Sequence, residues 1–163
     1  MKVYHGSLEI VTNPSIEILN FKTDFGKGFY TTTDYEQAKR WTKIKRDRAL
    51  NESDKMSLSK YVNSYEYTPN KELNVLEFMN ATSEWIDFVF ANRNSEELLH
   101  DYDIVVGPVA NDNLYATLRL YERNFISKEE AIKTLKTYKL SNQISFHTER
   151  ALQTIKFINA EEV

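Results

Sequence analysis

Strand-like and helix-like segments alternate along this chain at irregular intervals, and this arrangement restricts its fold more than any other feature. Alternating apolar and polar residues predict strands at 3–6, 28–32, 59–69, 73–78, 102–108, 143–147 and 156–160. Helical patterns cover 36–50, 82–93, 113–121, 127–138 and 148–155. Repeated strand–helix–strand units would be regularly spaced, so we expect an α+β fold with a mixed or antiparallel sheet and flanking helices. With no repeat or linker, residues 1–163 should form one domain.

Composition excludes several classes of protein. The chain has no cysteine, which rules out disulfides, thiolate catalysis and cysteine-based zinc sites. A net charge of -3 gives no overall signal for nucleic acid. The first residues, MKVYHGSLEI, lack the apolar core of a signal peptide, and no run approaches 18 apolar residues. We therefore expect neither a signal peptide nor a membrane span, and a cytoplasmic location.

Local signals predict where some elements begin and pair. Thr33 to Glu36 and Ser127 to Glu130 each have a hydroxyl residue followed three positions later by a carboxylate, which is the pattern of a capping box. Pro69 and Asn70 predict a turn between the strands at 59–69 and 73–78. We expect those two strands to form a hairpin.

The segment DFGKGFYTTT, residues 24–33, holds two of the four glycines in the chain. Glycine costs backbone entropy in a strand, so Gly26 and Gly28 call for an explanation. Tyr30 is either a core aromatic residue or a platform on which a flat, electron-poor ring stacks. In the second interpretation the glycines let the main chain approach a ligand.

Other polar residues also have two interpretations. His5 is either a satisfied strand histidine or a group aimed at a ligand, and Gly6 beside it would then expose main-chain hydrogen-bonding groups to that ligand. Gln143 is either a polar edge residue or a site residue. Glu149 fits the first turn of a helix, where a carboxylate is favourable. Residues 39–48, KRWTKIKRDR, contain six basic residues and form either a solvated helix face or a surface for phosphates.

Three segments resemble the signature strands of a known superfamily. VYHGS at 3–7, DFGKGFYTT at 24–32 and QISFHT at 143–148 resemble those of the ADP-ribosyltransferases, in the branch of diphtheria toxin and the poly(ADP-ribose) polymerases. DIVVGPVANDN at 103–113 and FHTERALQTIKF at 146–157 resemble an uncharacterised bacterial family of that fold. The resemblance implies an NAD-binding cleft between two small sheets.

The same resemblance implies roles for individual residues. His5 would bond the ribose on the nicotinamide side, the Gly6 main chain would hold the carboxamide, and Tyr30 would stack on the nicotinamide ring. Gln143 takes the third catalytic position, where many relatives carry Glu, and Glu149 is the alternative for that position. The residues implied to contact NAD are His5, Gly6, Gly28, Tyr30 and Thr31.

The activity implied is transfer of ADP-ribose from NAD to a macromolecular acceptor, either protein or nucleic acid. Small members of such families are often toxins neutralised by an antitoxin protein, so an antitoxin is a further implied partner. No metal and no membrane are implied. The alternatives are an NAD glycohydrolase, with water as acceptor, and a catalytically silent module that binds NAD, ADP-ribose or nucleic acid.

Overall fold

The computed structural model describes residues 1–16, 23–49, 58–109, 112–136 and 140–163, without the side chains of 112, 113 and 115. Within these ranges strands and helices are interspersed as the sequence predicts. The strands are β1 (Lys2–Ser7), β2 (Phe29–Thr32), β3 (Tyr61–Tyr67), β4 (Val75–Glu77), β5 (Ile104–Pro108), β6 (Asn142–Phe146) and β7 (Ile155–Glu162). The helices are α1 (Tyr35–Ala49), α2 (Ser83–Arg93), α3 (Asp112–Glu122), α4 (Lys128–Leu135) and α5 (Glu149–Leu152). The predicted helices at 36–50 and 127–138 extend onto residues 50, 137 and 138, which lie outside the described ranges.

The described strands form one sheet in the order β4-β5-β6-β2-β1-β3-β7. The β4–β5 pair is parallel and the other pairs are antiparallel, which confirms an α+β fold with a mixed sheet. The predicted hairpin is wrong. β3 lies between β1 and β7, and β4 pairs with β5 at the far edge of the sheet. A turn does form at Asn70, whose main-chain carbonyl accepts from the Leu73 N–H, but both edges of β3 are already occupied.

The contact between β1 and β2 is the weakest point in the centre of the sheet. These two strands share one register pair, Tyr4 opposite Thr32. In contrast, β1 pairs with β3 along its whole length, and β2 pairs with β6 from Phe29 to Thr32. The expectation of two separate sheets is therefore wrong, but the ladder opens between β1 and β2. We call this place the β1–β2 opening.

Helix caps and packing fix α1 against β1. The side chain of Asp34 accepts from the Gln37 main-chain N–H at 3.2 Å, so the α1 cap lies one residue after the Thr33 that the sequence predicts. The Ser127–Glu130 capping box at α4 is confirmed. A Cβ atom at Gly6 would lie 2.1 Å from the Ala38 carbonyl oxygen, so β1 and α1 are in contact through their main chains.

Two apolar clusters cover the sheet. One contains Val3, Phe29, Tyr65, Ile104 and Phe146, with α5 packed on it. The other is built from α2, α3 and α4 around the fully buried Trp85 and Phe25. The second cluster lies beside the segment that resembles a ligand-binding strand, so burial of Phe25 fixes the chain just before β2.

None of the helices in the described ranges has the length and apolar composition needed to cross a bilayer.

Candidate functional site

The imidazole of His5 lies at the β1–β2 opening. Its Nδ1 is 2.6 Å from the Tyr30 carbonyl oxygen, which can only accept, so Nδ1 carries the proton and donates. The ring stacks on Phe29, with centroids 4.4 Å apart. His5 is 6% exposed, and its hydrogen bond to the Tyr30 carbonyl joins β1 to β2 where their ladder has a single register pair. Its Nε2 remains as an acceptor.

Lys45 of α1 faces that acceptor. Its Nζ lies 3.2 Å from His5 Nε2, so the ammonium group donates to the neutral ring. Burial lowers the pKa of Lys45 to about 8. Burial first, and then the Lys45 charge, lower the pKa of His5 well below its ordinary value of 6.5. At neutral pH the pair therefore offers a neutral imidazole beside a cation, which suits a hydroxyl group or an anion.

Tyr30 is attached to the turn that precedes β2. Its hydroxyl accepts from the Phe25 main-chain N–H at 3.0 Å and donates to the Gly26 carbonyl at 2.6 Å. Gly26 has φ of +83°, a left-handed conformation that favours glycine. The ring of the half-buried Tyr30 packs on Phe25 and His147, with centroids 6.4 and 6.3 Å apart, so a ligand could contact only the part of the ring that remains exposed.

Gln143 is held from two sides near the start of β6. Its Nε2 donates to Asp24 Oδ2 at 2.8 Å and to the Pro108 carbonyl at 3.2 Å. Both N–H groups of the carboxamide are thus used, and what Gln143 can offer to a ligand is the acceptor Oε1. Asp24 is 4% exposed, and its other oxygen lies 3.9 Å from Arg93 Nη1.

Strand register decides which predicted site residues share a face. Thr32 lies directly opposite Gln143 in β6 and opposite Tyr4 in β1. Tyr30 precedes Thr32 by two positions and therefore shares the face of Gln143. His5 follows Tyr4 by one position and lies on the other face. The structure places Tyr30 and Gln143 on one face, where Ser145 is directly opposite Tyr30, whereas His5 contacts the Tyr30 main-chain carbonyl.

The glycines and Thr31 have structural roles that do not require a ligand. The space beside Gly6 is filled by α1, as described above. A Cβ at Gly28 would lie 2.6 Å from His147 Nδ1, so that glycine makes room for the imidazole. Thr31 is fully buried, and its hydroxyl donates to the Ile144 carbonyl in β6. Packing within the protein is therefore enough to explain Gly6 and Gly28, without the ligand that the sequence led us to expect.

Glu149 lies far from the position proposed for it. It is exposed at the start of α5, after the end of β6, whereas Gln143 is near the beginning of that strand. The residues of β6 between them span about 10 Å at 3.3 Å per residue. Of the two alternatives for the third position, Gln143 is the one beside Tyr30.

Sequence reasoning missed a group of buried polar residues on the face that Tyr30 and Gln143 share. His147 donates from Nδ1 to the Lys27 carbonyl at 2.7 Å and accepts at Nε2 from the Ser145 hydroxyl at 2.8 Å. His100 donates from Nε2 to the Phe25 carbonyl at 2.8 Å. Burial lowers the pKa of His147 to about 4 and also lowers that of His100. These contacts fix residues 23–28, which we call the pre-β2 loop.

Part of that group left a signal in the sequence. Gln143, Ser145 and His147 are polar at every second position, between the apolar Ile144 and Phe146. This alternation places the three polar side chains on one face of β6. Asp24, Arg93 and His100 gave no such signal, because their partners are distant in sequence.

In the described ranges no group of three or more acidic or histidine side chains is arranged to hold a metal ion.

Comparison with known proteins identifies a family but no activity. No curated protein gives a significant sequence match. Residues 1–157 match the family described as "Protein of unknown function (DUF3990)". This match spans nearly all of the 163 residues. The chain therefore belongs to the DUF3990 family.

Proposed function

We propose that this protein is an NAD-dependent mono-ADP-ribosyltransferase that modifies a macromolecule and acts as a bacterial toxin with a partner antitoxin. The supporting observation is the β1–β2 opening, across which the His5 ring is hydrogen-bonded to the Tyr30 main-chain carbonyl. A sheet that is otherwise continuously paired has a gap between the two strands that resemble NAD-binding strands. The proposal joins this geometry to the resemblance in sequence.

The site residues have the chemistry that NAD requires. His5 Nε2 is an acceptor for a ribose hydroxyl, which would replace the Lys45 ammonium at that position. The exposed part of the Tyr30 ring would stack on nicotinamide, worth on the order of 1 kcal/mol beyond burial. Gln143 Oε1 is a further acceptor on the opposite face of the sheet, which it shares with Tyr30, and would bind the part of NAD that lies on that face. Gly6 contributes only main-chain groups.

The reaction needs orientation and charge stabilisation more than acid catalysis. The bond between ribose C1 and the nicotinamide nitrogen breaks, and nicotinamide leaves as a neutral molecule with the bonding electron pair. Positive charge develops on the ribose, as in other glycosyl transfers. A nucleophilic oxygen or nitrogen of the acceptor then bonds to C1 and releases its proton to solvent. Hydrogen bonds from fixed groups to the ribose favour this transition state.

One observation favours a second candidate, an NAD glycohydrolase. Gln143 is a neutral carboxamide whose two N–H groups are already bonded, so it cannot remove a proton from an acceptor. Water, present at high concentration, would then compete well with a macromolecule for the ribose. The two enzymes differ in where the ADP-ribose is found after reaction.

The test measures nicotinamide release from NAD by wild-type protein and by Tyr30→Phe and Tyr30→Leu. Both variants lose the hydroxyl that holds the pre-β2 loop, but only leucine also loses the ring. We expect release by the phenylalanine variant to stay within about threefold of wild type and release by the leucine variant to fall about tenfold, from the stacking energy. Equal loss in both variants would contradict a stacking role.

The same reactions with adenine-labelled NAD and cell lysate identify the acceptor class. Label on macromolecules supports a transferase, and free ADP-ribose alone supports a glycohydrolase. NAD binding without nicotinamide release would support the catalytically silent binding module. Absence of NAD binding would overturn both enzyme proposals.

A further inference from the structure

Helix α1 carries a concentration of positive charge that the proposed NAD chemistry does not use. Residues 39–48 contain six basic residues and one acid, in a chain whose net charge is -3. Positions i, i+4 and i+7 lie on one side of a helix. Lys39, Lys43 and Arg46 occupy such positions, and we call them the basic stripe.

The basic stripe faces solvent rather than the sheet. Lys39 and Lys43 are exposed and Arg46 is half-buried, whereas Ala38 and Thr42 form the side of α1 that packs on β1. Among the residues that the structure describes, the stripe forms a single ion pair. Arg46 lies 3.7 Å from the exposed Asp47, a surface pair of little energetic weight.

The helix that carries the stripe also contacts the β1–β2 opening. Lys45, on the inner side of that helix, reaches His5 with its Nζ at 3.2 Å. Successive helix residues are turned by about 100°, so Lys43 points to the opposite side of α1 from Lys45, and Arg46 lies about a quarter turn away. A polyanion lying along the stripe would therefore be held on the outer side of α1, about one helix diameter (about 10 Å) from the residue proposed to hold the ribose.

From this arrangement we infer that the basic stripe binds the phosphodiester backbone of a nucleic acid, and that this nucleic acid is the acceptor of ADP-ribose. The statement about binding stands on the charge and position of the stripe. The statement about the acceptor rests on the proposed function. Transfer would join ribose C1 to a nitrogen or oxygen of the nucleic acid, nicotinamide would leave with the bonding electrons, and the acceptor's proton would go to solvent.

The test uses a triple variant, K39Q/K43Q/R46Q, and a matched control, K71Q/K133Q/K156Q. The control removes the same charge from exposed lysines on other elements. Binding of fluorescent single-stranded RNA, single-stranded DNA and duplex DNA is measured by anisotropy over a range of salt concentrations. We expect wild type and control to bind at least one of these nucleic acids, and the stripe variant to bind it on the order of a hundredfold more weakly at low salt.

The salt dependence gives a second criterion. Loss of three phosphate contacts should reduce the slope of log affinity against log salt by about 2 for a single strand. Comparable weakening in the control and the stripe variant, or no binding to RNA or DNA, would overturn the inference. Retained binding to an acidic protein fraction with no binding to nucleic acid would also overturn it, in favour of a protein acceptor.

Failure of this inference can be told apart from failure of the proposed function. The stripe does not touch the residues proposed to hold NAD, so nicotinamide release into water should be unchanged in K39Q/K43Q/R46Q. If wild type releases nicotinamide but does not label added RNA or DNA, the acceptor assignment is wrong while the activity stands. If no NAD activity exists, the anisotropy measurement still decides whether the stripe binds nucleic acid.

Discussion

At the scale of single residues, the pair Gln143–Asp24 distinguishes this site from one that carries a glutamate. The carboxamide donates to Asp24 Oδ2 at 2.8 Å, and Asp24 is almost completely buried. A carboxylate at 143 would meet a second carboxylate at hydrogen-bond distance. Two such groups cannot both ionise without a large cost. Glutamine at position 143 is therefore favoured for stability beside Asp24, independently of the function of the site.

This match predicts that Gln143→Glu lowers the free energy of unfolding by about 3 kcal/mol at pH 7.5, since it places like charges together in a buried setting. Asp24→Asn in the same chain should restore most of the loss, because the asparagine N–H can donate to the new carboxylate. Urea unfolding of wild type, the two single variants and the double variant measures this coupling. An unchanged free energy of unfolding for Gln143→Glu would contradict the account.

At the scale of elements, the pre-β2 loop is held by neutral histidines. His147 donates to the Lys27 carbonyl, and burial lowers its pKa from 6.5 to about 4. The unfolded chain therefore binds more protons than the folded one as pH falls below 6.5. Stability from this residue is complete above that pH and is lost as pH falls through about 4. The difference corresponds to about 3 kcal/mol of unfolding free energy.

The resulting prediction is that the protein loses about 2 kcal/mol of unfolding free energy through His147 between pH 7.5 and pH 5. His147→Gln should flatten this dependence, because glutamine can donate to Lys27 and accept from Ser145 without titrating. Urea unfolding at both pH values provides the measurement. The pKa of His100 is also lowered by burial, so a smaller dependence of the same sign should remain. The same slope in wild type and His147→Gln would argue against this role.

Most elements could be predicted from local sequence signals, whereas the pairing of strands that are distant in sequence could not. The Ser127–Glu130 capping box is completed within four residues, so sequence alone places the start of α4. The hairpin prediction assumed that the turn at Asn70 decides which strands pair. The pairing of β3 with β1 and β7 is decided instead by strands from both ends of the chain.

At the scale of the whole molecule, the candidate site is assembled from distant parts of the chain. β1 contributes His5, α1 contributes Lys45 and β2 contributes the Tyr30 carbonyl, and these meet only after the sheet has formed, while Gln143 of β6 lies on the opposite face from His5. The resemblance, which rests on residue types and their order along the chain, predicted His5, Tyr30 and Gln143 as site residues. Lys45 and Asp24 could not be predicted, because a lysine on a basic helix and an aspartate in a glycine-containing loop have no distinctive local pattern.

The β1–β2 opening is the whole-molecule feature on which the account depends. It divides one sheet into two halves, β4-β5-β6-β2 and β1-β3-β7, that share a single register pair. His5 and Tyr30 lie on the two strands that border this division, whereas Gln143 lies one strand further away, in β6. The basic stripe lies on the outer side of α1, the helix that contacts the division through Lys45.

The crystal structure of the protein soaked or co-crystallised with NAD tests this account most directly. The account predicts the nicotinamide half of NAD at the β1–β2 opening, with its ring on Tyr30 and a ribose hydroxyl at His5 Nε2, displacing the Lys45 Nζ. NAD bound at any other surface, or no NAD bound at a concentration that saturates known NAD enzymes, would contradict it.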